Sequence, residues 1–203
     1  MNDQPVGAGC VVVEIDGSAD GLRVVDYAAR QALRTGSDLL LVRPYRTFGT
    51  YSAGARFHPP CQRDEAGGQL RQAVAHVRRQ IGYGQSVGAV AREGHRIDVL
   101  AQFGQRARML VVPRQRVRGR DRLVAAQADI ALAARSAAPV IVVPRTWKPS
   151  SADHSVTVGI DGTAIGDPVA REALAAATCP VALLRHHGTA QGDRHPHAAS
   201  TRC

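Results

Sequence analysis

The sequence predicts an α/β fold with a parallel sheet covered by helices on both faces, and three observations predict it. Short apolar runs that read as buried strands alternate with stretches of helical period along most of the chain. The first run, Val11-Val12-Val13-Glu14-Ile15, ends in Asp16-Gly17-Ser18. A strand ending in an acid and a small-residue turn is how many nucleotide-binding α/β domains begin. That opening returns as Val156-Thr157-Val158-Gly159-Ile160-Asp161-Gly162-Thr163, and Asp161 lies 145 residues after Asp16.

The elements follow in order. Cys10 to Ile15 is the first strand, apolar enough to be buried on both faces. Ser18 or Asp20 can cap the next helix. From Gly21 to Thr35, Leu22, Val25, Ala28, Ala29, Ala32 and Leu33 fall on one helical face, and Gly36 supplies the stop. Asp38 to Val42 is the second strand, ended by Pro44. Residues 45–62 have no period and read as a long loop. A helix is predicted from about Asp64 to Ile81, with Leu70, Ala73, Val74, Val77 and Ile81 inward. Ser86 to Ala91 is the third strand. Ile97, Leu100, Ala101 and Phe103 mark a short helix, and Arg108 to Val112 is the fourth strand. An Arg-rich loop at 114–121 leads to a helix from Leu123 to Arg135. Ala138-Pro139-Val140-Ile141-Val142-Val143-Pro144 is the fifth strand.

The pattern divides the chain into a complete α/β domain at 1–145 and a linker at 146–154. A strand-helix-strand remnant of a second domain follows at 155–185, then a disordered, His-rich tail at 186–203. After Asp161-Gly162-Thr163 too little chain remains for five more strands, but enough for one such unit. Its last strand, Cys179-Pro180-Val181-Ala182-Leu183-Leu184, repeats the style of the fifth. It is expected to cover the sheet edge near 139–143.

Composition narrows the class further. With 203 residues, 44% of them hydrophobic but only 4% aromatic, the core must be built from Ala, Val, Leu and Ile. No apolar run reaches the roughly 20 residues of a membrane span, and the N-terminus lacks the basic start of a signal peptide. A cytoplasmic protein without membrane attachment is expected. The net charge is +9, nearly all of it from Arg, with Lys148 the only lysine. This reflects a coding bias or an anionic partner; composition does not separate them. Cys10, Cys61, Cys179 and Cys203 form no Cys-x-x-Cys pair and are expected to be free thiols.

These segments, in this order, resemble the universal stress protein family. The residues that carry the resemblance are Val12-Val13-Glu14-Ile15-Asp16-Gly17-Ser18, the helix after it, Leu39-Leu40-Leu41-Val42, Ala107-Arg108-Met109-Leu110-Val111-Val112 and Ala138-Pro139-Val140-Ile141-Val142-Val143. The resemblance implies a Rossmann-like, open five-stranded parallel sheet in the order 3-2-1-4-5. It also implies a role in stress response, and homodimers or tandem domains packed like a dimer.

Many members of that family bind ATP through a loop after the fourth strand. It reads Gly, two residues, Gly, nine residues, Gly, then Ser or Thr. The glycines let backbone N–H groups approach the phosphates, and the hydroxyl adds a donor. In this chain Pro113 stands at the first glycine, Arg116 at the second, Ala126 at the third and Gln127 at the hydroxyl residue. Gly119 is the only glycine between Leu110 and the linker, and it is out of register. The resemblance therefore implies a degenerate nucleotide site made of Asp16, Gly17, Ser18, Leu41, Pro113, Arg116, Gly119, Ala126 and Gln127. Asp16 matches the family's acid near the adenosine, and it equally suits a turn-capping role. No cofactor is expected, with ATP the alternative.

Arg114, Arg116, Arg118, Arg120 and Arg122 alternate. In an extended loop they share one side and form a candidate anion site, for phosphates or nucleic acid. No aromatic residue in the loop supports base stacking. His186, His187, His195, His197 and Cys203 lack a fixed ligand spacing, and His58 with Cys61 makes only two ligands, so no metal site is expected. No catalytic set stands out, because Gly-x-Ser-x-Gly and the Lys-containing phosphate loop are both absent. The expected function is interaction with protein partners in a stress response, not turnover. Nucleotide binding and nucleic-acid or anion binding are the alternatives.

Overall fold

The computed structural model describes residues 9–18, 21–46, 60–82, 84–114, 121–144, 146–148, 156–160, 170, 174 and 179–185. Strands and helices alternate as β1 (Val11–Glu14), α1 (Gly21–Thr35), β2 (Leu39–Tyr45), α2 (Pro60–Ile81), β3 (Val87–Glu93), α3 (Arg96–Gly104), β4 (Met109–Pro113), α4 (Asp121–Arg135) and β5 (Val140–Val143). Two further strands follow, β6 (Val156–Ile160) and β7 (Val181–Arg185). The sheet order is β3-β2-β1-β4-β5-β7-β6. The first five strands are parallel in the expected order 3-2-1-4-5. The sheet has seven strands, not five, because β7 adds antiparallel to β5 and β6 adds parallel to β7.

Period-two alternation sorts the strand side chains onto two faces. Val12, Leu40, Leu110, Val112, Val140 and Val142 pack with residues of α3 and α4. Val11, Val13, Leu39, Leu41, Val111 and Val143 pack with residues of α1 and α2. Small and branched side chains fill both layers, as the scarcity of aromatic residues requires. The exceptions include Trp147 and the buried Tyr27 of α1, which meet edge to face with ring centroids 5.3 Å apart. Trp147 is only 3% exposed, so the segment read as linker starts with a core anchor. Leu33, assigned to the inner face of α1, is 53% exposed instead. It lies in the last turn of α1, where the helix faces solvent.

One strand boundary moved for a physical reason. β2 runs through Pro44 to Tyr45, past the predicted stop at Val42. Ile15 donates its N–H to Val42 O at 2.8 Å, so ladder alternation places the missing Pro44 N–H opposite Ile15 O. The Arg43 guanidinium takes that place, donating from Nη1 to Ile15 O at 3.3 Å. The proline is tolerated because β1 has ended and β2 is paired there only with β3. α4 begins at Asp121, two residues before the predicted Leu123.

The β5–β7 junction has local two-fold symmetry. Pro180-Val181-Ala182-Leu183 repeats Pro139-Val140-Ile141-Val142 in style, 41 residues on. The pairs are Val140 with Leu183, Ile141 with Ala182 and Val142 with Val181. Each residue therefore pairs with the counterpart of its partner's equivalent, and the axis passes through Ile141 and Ala182. This is the geometry of an isologous contact, formed within one chain. Ala170 and Leu174, helical and buried between β6 and β7, pack in the same layer as Ile130 and Leu132 of α4.

Candidate functional site at the carboxyl ends of the strands

In sheet order β1 lies beside β4, where the chain's progression reverses. In open α/β sheets the crevice beyond the strand ends at such a point is where ligands bind. Three groups of side chains surround it here.

The first is the turn after β1. Asp16 Oδ1 accepts hydrogen bonds from Ser18 N at 2.9 Å and Ser18 Oγ at 2.7 Å. Gly17 has φ +75°, the left-handed region that closes this turn. A Cβ on Gly17 would also lie within 2.8 Å of the Gln69 amide, and one on Gly21 would lie 2.8 Å from Asp16 Oδ1. The carboxylate is thus tucked against the first residue of α1, where the helix dipole favours it.

The second is a polar chain over that turn. Arg43 Nε donates to Gln69 Oε1 at 2.7 Å, and Gln69 Nε2 donates to Glu65 Oε1 at 3.1 Å. With its contact to Ile15 O, Arg43 ties β2, β1 and α2 together above Gly17.

The third lies on the opposite face. Arg96, at the start of α3, donates from Nε and Nη2 to the two oxygens of Glu14 at 2.7 and 2.8 Å. Its Nη2 also reaches Asp129 Oδ1 at 3.2 Å. Glu14 and Asp129 are 3% and 2% exposed. Burial opposes the charge on Arg96, but Glu14 and then Asp129 more than offset it and hold the guanidinium charged. Burial pushes the Asp129 carboxyl up to about 6; Arg96 opposes the rise and Glu14 adds to it. Arg114, just past β4, is lowered by burial and feels Asp129 and Cys179.

The predicted site residues fall as follows. Asp16, Gly17 and Ser18 come together at the turn. Leu41 is fully buried between the sheet and α1 and α2, facing the core and not the crevice. Pro113 ends β4. Leu110 and Arg114 donate their N–H groups to Pro139 O and Val143 O of the β5 side, so alternation turns the Pro113 nitrogen toward β1. Ala126 and Gln127 are the sixth and seventh residues of α4, with Ala126 against the core and Gln127 exposed. Arg116, Arg118, Gly119 and Arg120 lie outside the described residues, as do Asp161-Gly162-Thr163, the His-rich tail and His58. Arg122 belongs to α4, so it cannot share the alternation of an extended loop. Among the described residues no three His, Cys, Asp or Glu cluster as metal ligands, and no helix is long and apolar enough to cross a membrane. Cys10 and Cys179 are free thiols.

Sequence reasoning missed Glu14, Arg43, Gln69, Arg96 and Asp129. Two signals were present. Glu14 is the one charge in a strand otherwise apolar, and a charge buried there requires a partner. Asp129 precedes Ile130 and stands three residues after Ala126 and four before Ala133, on the inward stripe of α4.

The topology and the β1–β4 crevice define a doubly wound α/β domain. The chain belongs to the universal stress protein family, whose sequence model matches residues 10–144. No curated relative matches the sequence. Among solved structures it is similar to a universal stress protein in complex with cAMP, at 22% identity over 68% of this chain and 97% of that one, with a TM-score of 0.53. It is also similar to universal stress protein UspA from Lactobacillus plantarum, at 13% identity over 68% and 99% of the two chains, with a TM-score of 0.55. Both likenesses are of fold.

Proposed function

We propose that this universal stress protein acts in a cytoplasmic stress response through protein contacts, without turnover and without the nucleotide cradle of its family. The observation that supports this best is the arrangement around β4 and α4. The nitrogen that faces the crevice belongs to Pro113 and carries no hydrogen. Ala126 and Gln127 lie beyond the first turn of α4, where N–H groups are committed to intrahelical bonds. Arg43 and Gln69 occupy the space above Gly17, and Asp16 is engaged with Ser18. The β6–β7 unit, in this reading, stands where a partner subunit's edge would pair with β5.

A second reading, nucleotide binding, is favoured by Asp16 at the carboxyl end of β1 and by the fold shared with a universal stress protein that binds cAMP. One experiment separates the two. The full chain is titrated with fluorescent ATP, ADP, AMP and cAMP and followed by anisotropy. The expected result is no saturable binding at micromolar concentrations. Saturable binding that is lost in Asp16→Ala would overturn the proposal and establish the second reading.

A further inference from the structure

Among the described residues the sheet ends at β3, which pairs only with β2. Leu39 donates to Ser86 O at 3.0 Å and Gly94 donates to Tyr45 O at 2.9 Å. Alternation along this ladder turns the N–H and C=O groups of Val87, Ala89 and Ala91 away from β2, into an open edge. The side chains of the same three residues pack on the α1–α2 side of the sheet. Between α2 and β3 lies a groove of about 890 Å³. Leu70, Val74 and Ala89 give it an apolar floor, and Arg71 and Arg79 stand on its lining as exposed cations. No acidic side chain lines it.

We infer that this edge receives an extended acidic segment of a partner protein, added to β3 as a further strand. The open ladder supplies main-chain donors and acceptors in the register of strand addition. An added strand presents alternate side chains to the α2 side, where the floor accepts apolar residues. Acidic residues at other positions of that same α2-facing set meet Arg71 and Arg79, which sets the sign of the partner. Other occupants fit less well. A second copy paired antiparallel through β3 would place the two α2 helices side by side on one face, bringing like charges together. The chain's own residues 186–203 carry Arg194 and Arg202 against a single acid, Asp193. Nucleic acid would find no aromatic side chain in the lining on which to stack.

The inference rests on the reading that the chain works through protein contacts, and it names the contact. The test uses the full chain and a fluorescent peptide whose every second residue is by turns Val and Glu, with Thr between them, and a control with Lys in place of each Glu, followed by anisotropy. Binding of the acidic peptide alone is expected. The double variant Arg71→Glu with Arg79→Glu should weaken it by about tenfold or more. Ala89→Pro, which removes an outward N–H without touching the β2 ladder, should weaken it as well. Circular dichroism and thermal melting confirm that each variant is folded. Should Ala89→Pro fail to fold, the charge-reversal pair decides alone. Equal binding of both peptides, or acidic-peptide binding unchanged in the charge-reversal variant, would overturn the inference. So would tighter capture of a single-stranded oligonucleotide, or a dimer dissolved by the same variants in sedimentation. Nucleotide binding at the β1–β4 crevice would sink the proposed function while leaving this groove measurable, so the two failures are distinguishable.

Discussion

Arg96 grips Glu14 side-on, with Nε and Nη2 lying 2.7 and 2.8 Å from the two carboxylate oxygens. The pair joins the end of β1 to the start of α3, and Asp129 draws α4 into the same contact at 3.2 Å. The end of β1 and the helices α3 and α4 are thus held by one partly buried cation shared between two buried acids.

Removing that cation strands the buried Glu14 carboxylate and takes from Asp129 the hydrogen bond that Arg96 donates. Arg96→Met is therefore expected to destabilise the fold by about 3–5 kcal/mol, the usual loss when one member of a buried ion pair is deleted. Adding Glu14→Gln and Asp129→Asn to Arg96→Met should recover much of the loss, because the stranded charges go with them. Urea denaturation of the single and triple variants measures both effects. A single variant as stable as the parent would show that the triad carries no such load.

Asp129 also gives stability a pH dependence of defined sign. Its pKa rises from the ordinary 3.8 to about 6 on folding, so between those values the native state holds a proton that the unfolded state releases. The contribution from this group is full below pH about 4 and is lost as pH rises through about 6. Asp129→Asn removes the titration. The urea midpoint of the variant should therefore gain on that of the parent between pH 4 and pH 7. Parallel pH profiles for the two proteins would contradict the assignment.

Asp16 holds its own turn closed through Ser18. Asp16→Ala should cost about 1 kcal/mol in stability, the scale of a lost turn or cap hydrogen bond. Asp16→Asn should cost less, since its amide oxygen still accepts from Ser18 N. Thermal unfolding of the two variants orders them. An Asp16→Ala protein that melts with the parent would remove the structural role.

The strand order makes β7 the cover of the β5 edge. Val181 and Leu183 are fully buried there, each worth about 1.5–3 kcal/mol of apolar burial. Deleting residues 150–203 should lower the denaturation midpoint and open β5 to pairing with a second chain. Sedimentation velocity should then detect larger species than the full chain forms under the same conditions. A truncated chain of unchanged stability and mass would refute the capping role of β7.

The sequence carried the α/β class and the first five strands in order, because apolar runs ended by Gly, Pro or acid are local signals. Val11 to Ile15 and Pro139 to Val143 announce buried strands without any knowledge of their neighbours. It also carried the loss of the family's glycine pattern at Pro113, Arg116, Ala126 and Gln127. Local signals failed where pairing across the sheet overrode them. Pro44 reads as a strand stop, yet Arg43 supplies the donor it lacks and β2 continues.

Arg96, the partner of Glu14, and Asp129, which shares that cation, lie 82 and 115 positions from Glu14, and no spacing rule connects them. Only the packing of α3 and α4 on the sheet brings the three charges together. The same holds for Arg43 over the turn of Asp16 and for Ala182 opposite Ile141. By itself the chain determined which segments are strands and that the family's glycine pattern is absent after β4, since both are written in neighbouring residues. Tertiary structure alone decided which charges are buried together and in which register β7 pairs with β5. Those outcomes depend on distances between residues that are far apart in sequence.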